Sequence, residues 1–395
     1  MNILVLTTKL LTSEDSGYTR RLYPFLKCLK SKGHNITLVS FYEDDAELKN
    51  VEVQNEYYNK IITVKKIRFF SYFRMLRAFW SRLPFKVEFI NTFAMKNAIA
   101  KEMKQNHYDI LYSHFSRMSL YFRKYNKQNC VVDLCDSNYM VYDRSYLQEK
   151  NLIRKLFLKM ERDRIYKFER DCIQRYSKCI FISEVDQKQM DPSNRCAVIS
   201  NGIDTEIYSP QEMLQKNKNE INYIGFMSST GNHTAVMYFL EKIYPIIKRN
   251  IPDVTFKIIG SNPRKELLNF AAKDSSVKVT GTVDNIRQHA LSAMVTIAPM
   301  IVVSGLQNKI LEAMAMGLPV VTTTAGAEGI SFDENILKIA DTEEDFAQKV
   351  CELLKNENLR QEMSKRARQF CIDNFSWNYN AAKLEKVLQI AGGGK

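Results

Sequence analysis

The chain has 395 residues, of which 45% are hydrophobic and 26% charged, a balance that excludes an intrinsically disordered protein and predicts two globular domains. Its formal net charge of +13 favours a partner that carries negative charge: nucleic acid, an anionic membrane or a phosphorylated ligand. Because zinc-finger, RNP-type and helix-turn-helix signals are missing from the sequence, we do not expect a nucleic-acid partner.

The sequence also predicts no metal site, no membrane-spanning helix and no secretion signal. Its eight cysteines are scattered without a C-x-x-C pair, whereas tetrahedral zinc sites need closely spaced ligand pairs. No apolar run reaches the roughly 18 residues of a membrane span. The start MNILVLTT lacks the layout of a signal peptide. A cytoplasmic protein with reduced, mostly buried thiols is the expectation.

The first half of the chain reads as a repeating βαβ pattern. Strand NILVLTT, a polar loop with Gly17, helix RLYPFLKCLKSKGH and strand NITLVSFY form its first unit. The apolar runs YDILYSHF, CVVDLCDS and CIFISEVD each end in polar residues and read as further strands. Short apolar strands that alternate with helices predict a parallel sheet covered on both faces.

Within this half, residues 65–86 (KKIRFFSYFRMLRAFWSRLPFK) carry aromatic and basic side chains at helical spacing. Six apolar residues share one predicted helical face: Tyr72, Phe73, Leu76, Phe79, Trp80 and Leu83. Three arginines lie away from that face: Arg74, Arg77 and Arg82. Such a helix suits the surface of an anionic membrane. The alternative is an ordinary helix packed on the N-terminal sheet.

After VISNGIDTEIYSP the alternating pattern begins again. The strands INYIGF, VTFKIIG, VKVTGTV, VTIAPM, PVVTTT and ILKIA alternate with helices, and a last helix follows FSWNYN. We therefore predict an N-terminal domain over residues 1–200 and a second doubly wound α/β domain over 201–375. A C-terminal helix over 376–395 has the N-terminal domain as a candidate packing surface. Ligands of such sheets bind beyond the carboxyl ends of the strands.

The stretch SGLQNKILEAMAMGLPVVTT, residues 304–323, carries the clearest chemistry. Free N–H groups and the dipole at the start of its helix make an anion site, and Lys309 adds a full positive charge. Asn308, Lys309 and Glu312 lie on neighbouring parts of one helix face. A carboxylate one turn inside such a helix can accept hydrogen bonds from ribose hydroxyls. The alternative is a surface Lys–Glu pair.

Several stretches resemble a known family. SNGIDTEIYSP, GLQNKILEAMAMGLPVVTT and FSW are similar to the C-terminal half of retaining nucleotide-sugar glycosyltransferases of the GT-B fold, called group 1 or family 4. SEDSGYTRRLYPFLKCLKSKGHNITLVSF and FERDCIQRYSKCIFISEVD resemble their N-terminal half. The closest likeness is to bacterial sugar transferases of polysaccharide assembly. It implies two doubly wound Rossmann-like domains facing across a cleft, a nucleotide-diphosphate sugar donor and a glycan or lipid-linked acceptor.

The resemblance also implies roles for individual residues. Glu312 would hold the donor ribose, and Lys309 would face the diphosphate. Backbone groups would contact the donor phosphates or base at the remaining donor positions: Gly17, Gly260, Ser261, Val283, Gly305, Leu306 and Asn308. In the first domain, four side chains at strand or helix ends are candidates for contacts with the sugar or acceptor: His114, Asp136, Glu169 and Glu184. A histidine at a strand end can equally be structural.

The chain departs from the family pattern at three places. Ser304 stands where the family commonly has a glutamate, and Ile301 stands where an arginine is common. Many relatives carry a basic pair after the first strand of the second domain, where GFMSSTGNHTAV offers only His233. Arg20 and Arg264 are candidates to compensate for these losses.

The reaction implied by the resemblance develops charge on the leaving diphosphate, so cations and N–H dipoles are expected to dominate catalysis. Without an Asp-x-Asp-type motif we expect a metal-independent transferase with no cofactor, whose donor phosphate can act as the base. The choice between UDP and GDP stays open. One alternative is a catalytically silent GT-B subunit or glycan-binding partner protein. Another, an epimerase of this architecture, needs acid–base carboxylates that the sequence does not place.

Overall fold

The computed structural model describes residues 1–10, 19–50, 56–211, 216–301, 306–330 and 333–393. The chain forms two compact units, one built from Met1–Asn201 together with Asn380–Lys395 and the other from Gly202–Tyr379. All eight cysteines are free thiols, and every one except the half-buried Cys28 is buried.

The N-terminal unit contains a seven-stranded sheet in which every strand pairs in parallel with its neighbours. Its strands are β1 (Asn2–Thr7), β2 (Asn35–Tyr42), β3 (Lys60–Lys65), β4 (Ile110–His114), β5 (Cys130–Cys135), β6 (Lys178–Phe181) and β7 (Ala197–Val198). They lie in the order β3-β2-β1-β4-β5-β6-β7. Every residue of β4 and β5 is buried, so both faces of the sheet are covered.

Eight helices follow these strands along the chain. They are α1 (Thr19–Ser31), α2 (Arg68–Leu76), α3 (Ala78–Ser81), α4 (Phe85–Ile90), α5 (Phe93–Gln105), α6 (Asn138–Gln148), α7 (Leu152–Arg175) and α8 (Glu184–Met190). Their apolar residues and those of the strands form a core that includes Leu6, Phe41, Phe168 and Phe181.

The second unit repeats this architecture with six parallel strands. They are β8 (Glu220–Ile224), β9 (Thr255–Ile259), β10 (Val277–Val279), β11 (Val295–Ala298), β12 (Val320–Thr322) and β13 (Lys338–Ile339). Their order is β10-β9-β8-β11-β12-β13. Both sheets therefore have the doubly wound order in which the first strand lies beside the fourth. The prediction of two doubly wound, Rossmann-like α/β domains is confirmed.

The helices of the second unit are α9 (Thr230–Tyr238), α10 (Tyr244–Asn250), α11 (Lys265–Lys273), α12 (Ile286–Leu291), α13 (Asn308–Ala315), α14 (Glu343–Lys355), α15 (Glu357–Phe375) and the start of α16 (Trp377–Ala391). The sequence predicts one helix across α9 and α10. Instead, a π-helical turn at Phe239–Ile243 separates them, directly before Pro245 in the first turn of α10. Because proline has no N–H to donate, it interrupts the regular hydrogen-bond ladder.

Helix α16 begins in the second unit and ends in the N-terminal one. Its buried residues Leu384 and Leu388 belong to the N-terminal unit, as does Glu385. The Glu385 carboxylate accepts from Lys32 Nζ at 2.6 Å and lies 2.8 Å from His34 Nε2. The N-terminal unit is therefore completed by a segment that lies far away in the sequence.

Residues 65–86 form two helices rather than one. Helix α2 ends before Arg77, α3 follows directly, and Arg82 then adopts a left-handed conformation with a φ of 60°. The buried positions of these helices are Ser71 and Ala78. Arg74, predicted to lie away from the apolar face, is half-buried, and its Nη2 donates to Ser71 Oγ at 2.7 Å.

The aromatic face of this segment points to solvent. Tyr72, Phe73, Phe79 and Trp80 are all exposed, and Trp80 retains 82% of its accessible surface. The buried positions of α2 and α3, Ser71 and Ala78, pack on the unit. The rings of Tyr72 and Phe79 also contact it, 5.5 Å from Phe89 and 5.4 Å from Phe85. The helices thus pack on the unit through one side, and the membrane contact stays a prediction.

Candidate active site

Strand order alone indicates where each unit can bind a ligand. In a doubly wound sheet the crevice opens at the carboxyl ends of the two neighbouring strands from which the chain winds in opposite directions. Those pairs are β1 and β4 in the N-terminal unit and β8 and β11 in the second unit. The predicted site residues His114 and Lys309 lie at these two places.

In the second unit, Lys309 reaches from α13 to the ends of β8 and β11. Its Nζ donates to Tyr223 Oη at 2.8 Å and also to Asn232 Oδ1. Met300 Sδ lies 3.6 Å away, and the ammonium sits 4.9 Å from the centre of the Tyr223 ring. Within the described residues, no carboxylate forms an ion pair with Lys309. The lysine is thus held in place by neutral groups.

This environment changes the acidity of Lys309. Burial lowers its pKa to about 8, although the nearby charge of Glu312 acts in the opposite direction. Glu312 is half-buried one turn further along α13. The structure therefore brings Lys309 and Glu312 together as predicted, at the end of the sheet rather than as an exposed surface pair. A desolvated cation without an ion-pair partner among the described residues favours binding of an anion.

Two helix starts lie beside Lys309. Helix α13 begins after Gln307 and α9 begins after Ser229, and neither N-cap residue makes a side-chain capping hydrogen bond in the described structure. Asn232, the partner of Lys309, is in the first turn of α9. Uncapped N–H groups and the helix dipole favour an anion at such positions.

Arg264 supplies a second cation at the start of α9. Its Nη2 donates to Ser228 O and to Thr230 Oγ1, both at 3.0 Å. The residue precedes α11, so it comes from the loop after β9. His233, the candidate from the sequence, is buried, with its Nε2 3.0 Å from Glu266 Oε2. Arg264 therefore contacts the start of α9, whereas His233 pairs with Glu266.

The loops after β8 and β9 approach each other closely at two glycines. Gly260 has a φ of 154°, and a Cβ atom there would lie 1.7 Å from the carbonyl oxygen of Gly225. Met227 N donates to Ser261 O at 3.0 Å, which joins the same two loops. Only glycine fits at position 260. Gly260 and Ser261 therefore lie at the carboxyl ends of the strands, the same end of the sheet that Lys309 contacts.

Three further donor-site candidates lie in the second unit. Val283 and Leu306 are half-buried against its core, and Asn308 is the first residue of α13. Ile301, which replaces a common arginine of the family, is 47% exposed. Gly17, Gly305 and Ser304 lie outside the described residues, and of Arg20 only the helical backbone is described.

In the N-terminal unit, a buried carboxylate organises the ends of β4 and β5. Asp133 Oδ2 accepts from Arg21 Nε at 2.8 Å and from Tyr112 Oη at 2.7 Å, and its Oδ1 accepts from Cys135 N at 3.1 Å. Burial by itself raises the pKa of Asp133, but the charges of Arg21 and His114 and these hydrogen bonds outweigh it and lower the pKa. Asp133 is therefore an anion in the core.

His114 lies next to Asp133, paired with it in the register of β4 and β5. It is buried, its ring packs 4.2 Å from that of Phe115, and its Nδ1 lies 3.9 Å from Cys135 Sγ. Phe115 and Cys135 have φ values of 70° and 60°, in a region that non-glycine residues seldom adopt. Such strain is often found at functional sites, where the surrounding structure maintains it.

The side chains of His114, Asp133 and Cys135 each bring one possible metal ligand within 4.8 Å of the others. Their chemistry does not fit a cation site. The Asp133 carboxylate is occupied by the Arg21 guanidinium, which already neutralises it. Burial raises the pKa of the Cys135 thiol well above its usual value, which disfavours the thiolate that metals bind.

The other N-terminal candidates have separate environments. Asp136 is exposed directly after β5. Glu169 is buried and accepts from Ser137 Oγ at 2.9 Å and from the Asn138 N–H at 3.1 Å, so it caps the start of α6. Glu184 is exposed on α8 and pairs with Lys188. Both glutamates are thereby accounted for by structural roles.

A small, open pocket lies beside these strand ends. Ser116 and Asn138, which follow β4 and β5, line one part of it. Lys86 and Arg117 add two cations, and Ile165 with Phe168 supply an apolar wall. Neither this pocket nor the Arg21–Asp133 pair could be predicted from the sequence, because their residues come together only in the folded sheet. The one signal was an aspartate inside the otherwise apolar run CVVDLC.

Comparison with known proteins accounts for most of the chain. Residues 16–207 match the family described as Glycosyltransferase Family 4, and residues 218–356 match the family described as Glycosyl transferases group 1. An uncharacterised 44.6 kDa protein in the cps region of Klebsiella pneumoniae is 20% identical over 390 residues, which cover 94% of this chain and 96% of that protein. An uncharacterised glycosyltransferase of Methanocaldococcus jannaschii is 24% identical over 390 residues, 94% of each chain.

Among solved structures, HepE of Anabaena in complex with UDP has a TM-score of 0.67 at 14% identity and covers 98% of this chain and 100% of its own. In the described part of the chain, no helix combines the length and apolar character that a membrane crossing requires. The matches, strand orders and site residues lead to one conclusion: the chain belongs to the GT-B glycosyltransferases of group 1 and family 4.

Proposed function

We propose that this glycosyltransferase moves a sugar, with retention of configuration, from a nucleotide-diphosphate sugar to a glycan or lipid-linked acceptor. The observation that carries the proposal is Lys309, a desolvated ammonium without a carboxylate partner among the described residues, at the β8–β11 crevice. A diphosphate would supply the ion pair that Lys309 does not form with any described residue. The proposed pathway is bacterial surface polysaccharide or glycoconjugate assembly, which the relative in a cps region supports.

Uridine diphosphate is the first donor nucleotide to test, with GDP as the comparison. HepE, which shares the fold, has been solved with UDP and with UDP-glucose. In this chain the ribose would lie against Glu312, and the base against the backbone after β9 and β10, where Gly260, Ser261 and Val283 lie.

The proposed step breaks the bond between the anomeric carbon and the donor phosphate oxygen. Positive charge forms on the sugar, and negative charge forms on the departing diphosphate. Lys309, Arg264 and the starts of α9 and α13 would stabilise that negative charge, and the proposed step uses no metal ion. The acceptor oxygen bonds to the anomeric carbon, and its proton passes to a donor phosphate oxygen.

The acceptor would bind to the N-terminal unit. Asp136 is exposed at the carboxyl end of β5 and would contact an acceptor hydroxyl, and the buried His114 ends the neighbouring strand β4. The adjoining pocket offers Lys86 and Arg117 for an acidic group and Ile165 for an apolar one. A phosphate-bearing, lipid-linked sugar has this combination of chemistry.

We also infer a peripheral site of action on the cytoplasmic face of an anionic membrane, through residues 65–86. This segment carries seven basic residues and no acidic one. Six of its seven aromatic side chains, all except Phe85, are exposed, which is costly in water and favourable at the interface of a bilayer. Trp80 is its most exposed aromatic residue.

Glu312→Ala is expected to weaken binding of UDP about tenfold or more, because hydrogen bonds from ribose hydroxyls to a carboxylate contribute roughly 1.5–3 kcal/mol. Isothermal titration calorimetry and hydrolysis of a panel of UDP- and GDP-sugars provide the measurement. Glu352→Ala, an exposed glutamate on α14, is the matched control. If neither nucleotide binds wild-type protein, a catalytically silent subunit replaces the transferase.

Binding of the nucleotide diphosphate is expected to weaken above pH 8. Only the protonated form of Lys309 attracts the anion, and its pKa in the free protein is about 8. The affinity should stay constant below that pH and then fall about tenfold for each pH unit. The fall should end when the pH reaches the higher pKa that Lys309 has in the complex. Lys309→Arg keeps its charge throughout, so titrations of this variant between pH 7 and 9 should show no such fall.

Trp80 is expected to enter the bilayer interface. Fluorescence of the wild-type protein should be quenched by vesicles of anionic lipid with brominated acyl chains, and not by zwitterionic vesicles of the same kind. Trp377, the other tryptophan, is half-buried beside Gly202. The variant Trp80→Phe keeps only Trp377 and therefore measures how much quenching that residue contributes. Equal quenching of wild type and Trp80→Phe would contradict the membrane role of residues 65–86.

A further inference from the structure

A second exposed apolar surface lies at the turn between α6 and α7. This hairpin tip, residues 147–157, presents Leu147, Leu152, Ile153 and Leu156 to solvent, and Leu152 and Ile153 keep 82% and 83% of their accessible surface. Side chains of this size are rarely clustered in water without a partner.

Hydrogen bonds within the turn fix the conformation of the hairpin tip. Asn151 caps α7 by accepting from the N–H groups of Ile153 and Arg154, both at 3.1 Å. Glu149 Oε1 in turn accepts from Asn151 N at 2.8 Å. The apolar side chains are therefore held outward by a capped turn.

Positive charge surrounds these apolar residues. Residues 144–159 include five basic side chains and one acidic side chain. Lys150, Arg154 and Lys159 are exposed and form no ion pair with any described residue. The single acidic residue, Glu149, is engaged in the turn. The tip thus combines apolar side chains with a basic rim.

The hairpin tip adjoins residues 65–86 through three aromatic rings. The ring of Phe157 lies 5.3 Å from that of Phe85, and Phe85 lies 5.4 Å from Phe79. Arg164 sits 5.4 Å from the centre of the Phe85 ring. Two elements far apart in sequence therefore contribute to one side of the N-terminal unit.

We propose that the hairpin tip is a second membrane-inserting element, which places its leucine and isoleucine side chains at the acyl boundary of an anionic bilayer and its basic side chains among the headgroups. The inference rests on the proposed membrane contact of residues 65–86 but uses separate residues. Charge favours a bilayer over a second copy of the chain, because a symmetric contact would bring two basic rims together.

The test uses the full chain with vesicles of equal parts phosphatidylcholine and phosphatidylglycerol. Leu152→Ser with Ile153→Ser is expected to lower the partition coefficient at least about tenfold, since two large apolar groups no longer leave water. Leu268→Ser with Ile286→Ser, exposed apolar residues of the second unit, should bind like wild type. Circular dichroism spectra and melting temperatures like those of wild type show that both variants are folded.

Insertion depth gives an independent readout. In a Trp80→Phe background, Ile153→Trp should be quenched by brominated acyl chains. Three outcomes overturn the proposal: unchanged partitioning of the tip variant, no quenching at position 153 while Trp80 of wild type is quenched, or no binding of wild type to vesicles. A wild-type dimer that becomes monomeric in the tip variant also overturns it, because a second copy would then cover the tip. UDP binding in these cases leaves the transferase proposal intact.

Discussion

Lys309→Met is expected to lower kcat/KM by roughly two to three orders of magnitude, the usual cost of losing one preorganised group that stabilises developing negative charge. Lys309 is the cation held at the β8–β11 crevice, by Tyr223 and Asn232. The loss should appear in kcat as well as in donor affinity, since charge on the diphosphate grows as the sugar departs. Steady-state kinetics with the best donor of the panel measure both.

The same substitution should not destabilise the protein. Burial lowers the pKa of Lys309 to about 8, so the folded state disfavours its charge below that pH. Tyr223 Oη also donates to Asn232 Oδ1 at 2.9 Å, and this pair remains when the lysine is gone. We expect an unchanged or higher melting temperature. Lys273→Met, an exposed lysine on α11, controls for loss of charge. Lower stability with unaltered kinetics would make Lys309 a structural residue.

Asp133→Ala is expected to cost about 3–5 kcal/mol of the free energy of unfolding, because it leaves the buried Arg21 guanidinium without its anion. The side chains of the pair are 4% and 0% exposed. Arg21 also donates to Asn201 at 3.1 Å, which cannot replace a carboxylate. Chemical denaturation at neutral pH gives the value.

Asp171→Ala provides the matched control for this substitution. Asp171 pairs with Arg123 and Arg175 but is 36% exposed, so its loss should cost less than about 1 kcal/mol. The pKa of Asp133 is lowered in the folded state, so its contribution is present above the unfolded pKa and is lost as the pH falls through the folded value. Similar costs for the two variants at neutral pH would show that burial of the Arg21–Asp133 pair has no special energetic consequence.

Local patterns predicted much of this molecule. Strands read as short apolar runs, and the doubly wound order followed from their alternation with helices. The spacing of Lys309 and Glu312 placed them on one helix face, because three residues make nearly one helical turn. The chemistry within α13 was therefore visible in the sequence.

Contacts over long distances in the chain were not visible. Arg21 and Asp133 are 112 residues apart, and Lys309 and Asn232 are 77 apart, so no local spacing relates them. Periodicity also showed that residues 65–86 carry an aromatic stripe but not which side faces the protein. Within α2 and α3 the buried positions are Ser71 and Ala78, where small side chains allow close approach.

The path of α16 has a consequence for synthesis of the chain. Residues 202–379 must be translated between the two parts of the N-terminal unit, which takes on the order of ten to forty seconds at typical elongation rates. Until α16 has been synthesised, the surface that Leu384 and Leu388 cover stays exposed. Lys32 and His34 also lack their contact with Glu385 during this time. The N-terminal unit is therefore completed only after the whole second unit has been translated.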